Sequence, residues 1–176
     1  MKNVFYKSLL LLTLSLTPAY AHASTMSFGH YIPQPELVNQ TRLTHLFWDV
    51  YDIALYAPQG EYKTNAPFAL EITYLMNLKG KDIAKVAKKE MRRLGMKDTK
   101  TLELWHQKML EIFPDVQEGE RLVGIKGADG YTYFYNDSQF IGSVQDHSFS
   151  QYFFDIWLSP ETSRPDLRRK LLKSNS

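Results

Sequence analysis

The chain of 176 residues contains no cysteine. Disulfides, thiol nucleophiles, iron–sulfur clusters, Cys-ligated zinc and a lipidated N-terminal cysteine are excluded together. Surplus charge is lacking too. The 21 Lys and Arg exceed the 19 Asp and Glu only through Lys2 and Lys7, so residues 24–176 are formally neutral. A neutral domain has no excess of cations to neutralise phosphates, which argues against nucleic acid as a partner. There is no Gly-rich phosphate loop, since Gly124-Ile125-Lys126-Gly127 has the wrong pattern, and no Gly-x-Ser-x-Gly elbow. His22, His30, His45, His106 and His147 are scattered without a His-x-x-x-His pair. No metal and no cofactor is therefore expected. Beyond residue 24 no apolar run approaches the roughly 20 residues of a membrane span.

What is present suits a packed domain: 44% hydrophobic residues and 14% aromatic ones can bury a core. The N-terminus has its own pattern. Lys2 and Lys7 make a positive region, Ser8 to Leu16 a leucine-rich one, and Ala19-Tyr20-Ala21 or Ala21-His22-Ala23 a small-residue cleavage site. Residues 1–23 are expected to be a signal peptide and residues 24–176 a single domain. The protein is then exported, and periplasmic if its source has two membranes.

Along residues 24–176, Ser24 to Val38 reads as an extended entry. Arg42 to Ala57 reads as one long strand, apolar on both faces and so covered on both. In such a strand Asp49 and Asp52 point to opposite faces, as do Arg42 and Tyr51. Asp52 needs donors, and Arg168 and Arg169 are candidates. Phe68 to Met76 is a second strand. Ile83, Val86, Ala87, Met91 and Leu94 repeat at helical spacing, ending at Gly95. The opposite face carries Lys81, Lys85, Lys88, Lys89, Arg92 and Arg93, a solvated face or an attractor of anionic headgroups. A second helix starts near Thr99, with Leu102, Trp105, Met109 and Ile112 on one side. Arg121–Lys126, Tyr131–Tyr135 and Phe140–Val144 form a meander through turns at Asp129-Gly130 and Asn136-Asp137-Ser138. Asp146 caps a helix with a Phe149, Tyr152, Phe153, Ile156 and Trp157 stripe, and Pro165 opens a final one. The class is α+β with a mainly antiparallel sheet.

Three stretches, TRLTHLFWDVYDIALYAP (Thr41–Pro58), FPDVQEGERL (Phe113–Leu122) and FFDIWLSPETSRPDLRRKLL (Phe153–Leu172), resemble the exported bacterial chalcone-isomerase-like family. The resemblance spans residues 37–173. It implies an open-faced β-sandwich, with helices packed over one side of the sheet and a ligand cleft between.

The catalytic members of that superfamily close a flavanone ring and use an arginine before the first long strand, a threonine within it, and a tyrosine and an asparagine on the first helix. Arg42 resembles the arginine. The other positions carry Tyr51, Ile83 and Glu90, and isoleucine cannot donate a hydrogen bond. The resemblance thus favours the superfamily's non-catalytic fatty-acid binders, in which an arginine and a tyrosine hold a carboxylate. On that reading Arg42 meets the headgroup of a small amphipathic acid while Trp48, Tyr51 and Tyr74 surround its tail. The alternatives are a chalcone-isomerase-type intramolecular lyase and a structural or interaction protein whose cleft is filled.

Overall fold

The computed structural model describes residues 28–172. The expected signal peptide lies outside them. Six strands form one sheet whose spatial order follows the sequence: β1 (Pro35–His45), β2 (Trp48–Pro58), β3 (Phe68–Tyr74), β4 (Arg121–Lys126), β5 (Thr132–Asn136) and β6 (Gln139–Val144). Every neighbouring pair is antiparallel. The helices α1 (Gly80–Arg93) and α2 (Thr99–Ile112) join β3 to β4, and α3 (His147–Leu158) and α4 (Pro165–Leu171) follow β6. The antiparallel α+β class is as the residue patterns imply.

One expectation is corrected. Arg42 to Ala57 is not a single strand but the two sides of a hairpin, turning at Leu46 and Phe47. Leu46 takes φ of 56°, a left-handed conformation unusual for a side chain without a short polar group. Arg42 is paired with Asp52, and Leu43 with Tyr51. Arg42 and Tyr51 do lie on opposite faces, but through cross-strand register. A register shift between Leu43 and Thr44 lets Asp49 join Asp52 at Arg42, so the two acids are not on opposite sides.

Alternation in the strands divides the core. Phe68, Leu70, Ile72 and Tyr74 of β3 point toward the helices, where Leu102, Met109, Phe149 and Phe153 meet them in the larger apolar cluster. On the other face Ala69, Val123 and Ile125 are covered by Phe28 and Ile32, with Tyr31, Tyr56, Tyr133 and Tyr135 around them. The Tyr31 and Tyr135 hydroxyls hydrogen-bond at 2.9 Å. Gly124 lies beneath α3, and a Cβ there would be 3.3 Å from the Phe153 ring.

Side chains near the helix ends fix the layer. Asp146 Oδ1 accepts the Ser148 and Phe149 amides at 2.8 and 3.1 Å, capping α3. Its Oδ2 accepts the Trp105 indole N–H at 3.0 Å, tying α3 to α2. Lys79, the cap residue of α1, offers no side-chain cap. Asp115, beyond α2, accepts the Gly80 amide instead, at 3.0 Å. Gly80 is required there because a Cβ would stand 2.1 Å from the Phe113 carbonyl oxygen. The last helix, α4, returns to pack on β1 and buries Leu167 and Leu171. No helix among the described residues is long and apolar enough to cross a membrane.

Candidate functional site

Between the sheet and the helices lies a cavity of about 330 Å³, at the small end of the usual range for ligand pockets. Its floor is Tyr51, Leu70, Ile72, Tyr74 and Leu122 from the sheet. Ile83, Val86 and Ala87 of α1 form one wall, and Phe153, Ile156 and Trp157 of α3 another. Period-two alternation in the strands and the helical stripes explain why these side chains converge. The exposed lining residues His45, Asp82, Val86, Ser163 and Arg164 mark the mouth.

Polar groups are few and specific. The Trp157 indole N–H donates to the Tyr51 hydroxyl at 2.9 Å, across the cavity from α3 to β2. Burial pushes the Tyr51 phenol up to about 12, although the Trp157 hydrogen bond and the Arg164 charge pull the other way. Tyr74, its ring 6.3 Å from that of Tyr51, is raised as well, by burial and then by Tyr51. Both phenols are therefore protonated donors at ordinary pH. The Tyr74 hydroxyl has no hydrogen-bond partner among the described residues. At the mouth, burial acts to raise Glu90, but hydrogen bonds from Arg93 and Ser163 hold it below the ordinary carboxylate range. Arg164 is exposed, lines the mouth, and has no carboxylate partner among the described residues. Its position at the start of α4 is unusual, since an arginine there opposes the helix dipole and supplies no side-chain cap. That departure from capping rules was a legible signal, and sequence reasoning missed it.

The four residues expected at the site divide evenly. Tyr51 and Tyr74 line the cavity. Arg42 does not: its guanidinium donates from Nε and Nη2 to Asp52 at 2.7 and 2.8 Å, and from Nη1 to Asp49 at 2.9 Å. It lies on the face of the hairpin away from Tyr51, and the two acids hold it there. Trp48 is 72% exposed beside the hairpin turn and is not part of the lining. The expected arginine partners of Asp52 are also elsewhere. Arg168 donates to the Leu158 carbonyl and Arg169 to Asp166. No cluster of His, Asp and Glu suited to a metal ion occurs among the described residues.

A family profile described as chalcone isomerase-like matches residues 41–173. The chain belongs to the chalcone isomerase-like family. Among curated proteins, this chalcone isomerase-like chain is 30% identical over 156 residues to an uncharacterized protein of Haemophilus influenzae, covering 86% of this chain and 74% of that one. Among solved structures it resembles a fatty-acid binding protein of Arabidopsis thaliana, with a TM-score of 0.62 and 12% identity. That match covers 80% of this chain and 87% of the other. At such low identity the likeness establishes the chalcone isomerase-like fold alone.

Proposed function

We propose that this chalcone isomerase-like protein is a non-catalytic carrier of a small amphipathic acid. The tail occupies the apolar cavity and the carboxylate meets Arg164 at the mouth, with the Tyr51 and Tyr74 phenols as donors. The observation that carries this reading is an open apolar cavity ending at an arginine with no acid partner among the described residues. A guanidinium suits a carboxylate because it is always charged and can bind both oxygens at once. The fatty-acid binding protein of the same fold supports the ligand class. Ring-closing catalysis calls for hydroxyls converging on Arg42, which instead faces Asp49 and Asp52. A filled cleft does not fit a cavity of about 330 Å³. We also read residues 1–23 as an export signal, which the mass of the protein recovered from a periplasmic extract checks.

The test is purification under native conditions, followed by mass spectrometry of co-eluting acids and titration with dodecanoate. The wild type should carry or bind the acid, and Arg164→Ala should bind it about tenfold more weakly or worse. A wild type that neither retains an acid nor binds dodecanoate refutes the reading. Equal affinity in Arg164→Ala removes Arg164 from it.

A further inference from the structure

The β1–β2 turn exposes three consecutive large apolar residues: Leu46 at 78%, Phe47 at 96% and Trp48 at 72%. Runs of this kind on a surface are destabilising faults unless they serve a function. The turn also keeps a leucine at φ of 56°, where glycine or asparagine would be less strained. Just below it the hairpin is clamped: Thr44 Oγ1 donates to Asp49 at 2.7 Å, and Arg42 bridges Asp49 and Asp52. The tip is therefore an apolar prong carried on a cross-linked hairpin.

The prong adjoins the cavity mouth, because its flanking residues His45 and Val50 are part of the lining. On the other side of the mouth, α1 contributes Val86, itself 59% exposed. The same helix carries Lys81, Lys85, Lys89 and Arg92, all exposed, and none of them bridges to a carboxylate among the described residues. Lys88 and Arg93 are paired, with Glu103 and Glu90. Asp82 is the acid interrupting this set. Apolar side chains that can enter the acyl boundary, bordered by unpaired cations, match the two attractions of an anionic bilayer surface. Tryptophan favours that interface because its ring is apolar and its N–H polar.

We propose that the Leu46–Trp48 prong and the cationic face of α1 dock this protein onto anionic lipid bilayers, with the cavity mouth turned toward the lipid. Docking deepens the carrier reading by giving the acid a route that avoids water. It does not require an occupied cavity, so the two readings can fail separately.

The experiment uses the full chain with vesicles of phosphatidylcholine, with and without phosphatidylglycerol. Trp48 emission, isolated by difference against Trp48→Phe, should shift to the blue and lose acrylamide quenching only with the anionic vesicles. Because Trp48 is itself the probe, insertion of another apolar segment such as Leu9–Leu16 that leaves the prong in water gives no shift. Phe47→Ser, followed by the same Trp48 signal, should weaken docking at least about tenfold. The pair Lys85→Glu and Lys89→Glu should weaken it at least about tenfold at low salt. Unchanged circular dichroism confirms that the variants fold. Trp48 remaining fully quenchable with anionic vesicles overturns the proposal. So does a dimer in sedimentation velocity that Phe47→Ser dissolves while no vesicle protects Trp48, since the prong would then be a contact between copies.

Discussion

Tyr51 and Tyr74 are both buried phenols of one cavity, yet their substitution by phenylalanine should affect stability differently. Tyr51→Phe strips the Trp157 indole N–H of its acceptor, and stability should fall by about 1–3 kcal/mol in urea denaturation. Tyr74→Phe removes a hydroxyl with no partner among the described residues, so stability should stay within about 0.5 kcal/mol or rise. A loss like that of Tyr51→Phe would show that the Tyr74 hydroxyl has a partner. Arg42→Ala should lower the melting temperature modestly, by freeing Asp49 and Asp52 to repel, and leave dodecanoate affinity unchanged. Weakened binding would return Arg42 to the site. Its position was hidden in the sequence because the β1–β2 turn carries none of the usual turn residues. His45-Leu46-Phe47-Trp48 reads as strand, and only tertiary structure forces Leu46 to a positive φ. Arg164 is a different case: its place before Pro165 was visible, but its position at the cavity mouth depends on α3 and α4 packing over the sheet, which local pattern does not encode.

At the level of elements, Asp146 joins α3 to α2 and Gly80 seats α1 against the loop after α2. Asp146→Ala removes the α3 cap and the Trp105 bond together, and should cost about 2 kcal/mol. Asp98, which caps α2 through Lys100 and Thr101, makes no such inter-helix bond, so Asp98→Ala should cost less. Gly80→Ala drives a methyl into the Phe113 carbonyl and should cost about 3 kcal/mol by parting α1 from the α2–β4 loop. Unfolding midpoints of the three variants check the order, and a Gly80→Ala near wild type would show that this loop yields. Most of these elements were legible in the sequence. Asp146 and Pro165 mark helix starts, Asp129-Gly130 and Asn136-Asp137 mark turns, and the apolar stripes, including the one that begins near Thr99, keep to helical spacing. These are local signals that the tertiary structure reinforces. Capping of α1 by Asp115 was not legible, because the acceptor comes from the far end of the α1–α2 pair.

For the molecule as a whole, acid should be the weak point. Asp98 is held below the carboxylate range by Thr101, Asp115 by Lys79 and Asp129 by Tyr133, while Lys88 brings Glu103 down to about 2. A carboxylate that is more acidic folded than unfolded stabilises the fold above its unfolded value and loses that contribution as pH falls through its folded one. Burial raises Glu71 and Asp155, and these act in the opposite sense. The depressed groups prevail, so the melting temperature should hold down to about pH 5 and fall toward about pH 2. A midpoint that rises on acidification would assign control to Glu71 and Asp155. The packing of α4 on β1 has a consequence of another kind. β1 lies early in the fold and Leu167 and Leu171 far along the chain from it, so this contact closes a long loop and costs more chain entropy than any hairpin of the sheet. A chain lacking Pro165–Leu171 leaves β1 without that cover and open to proteases.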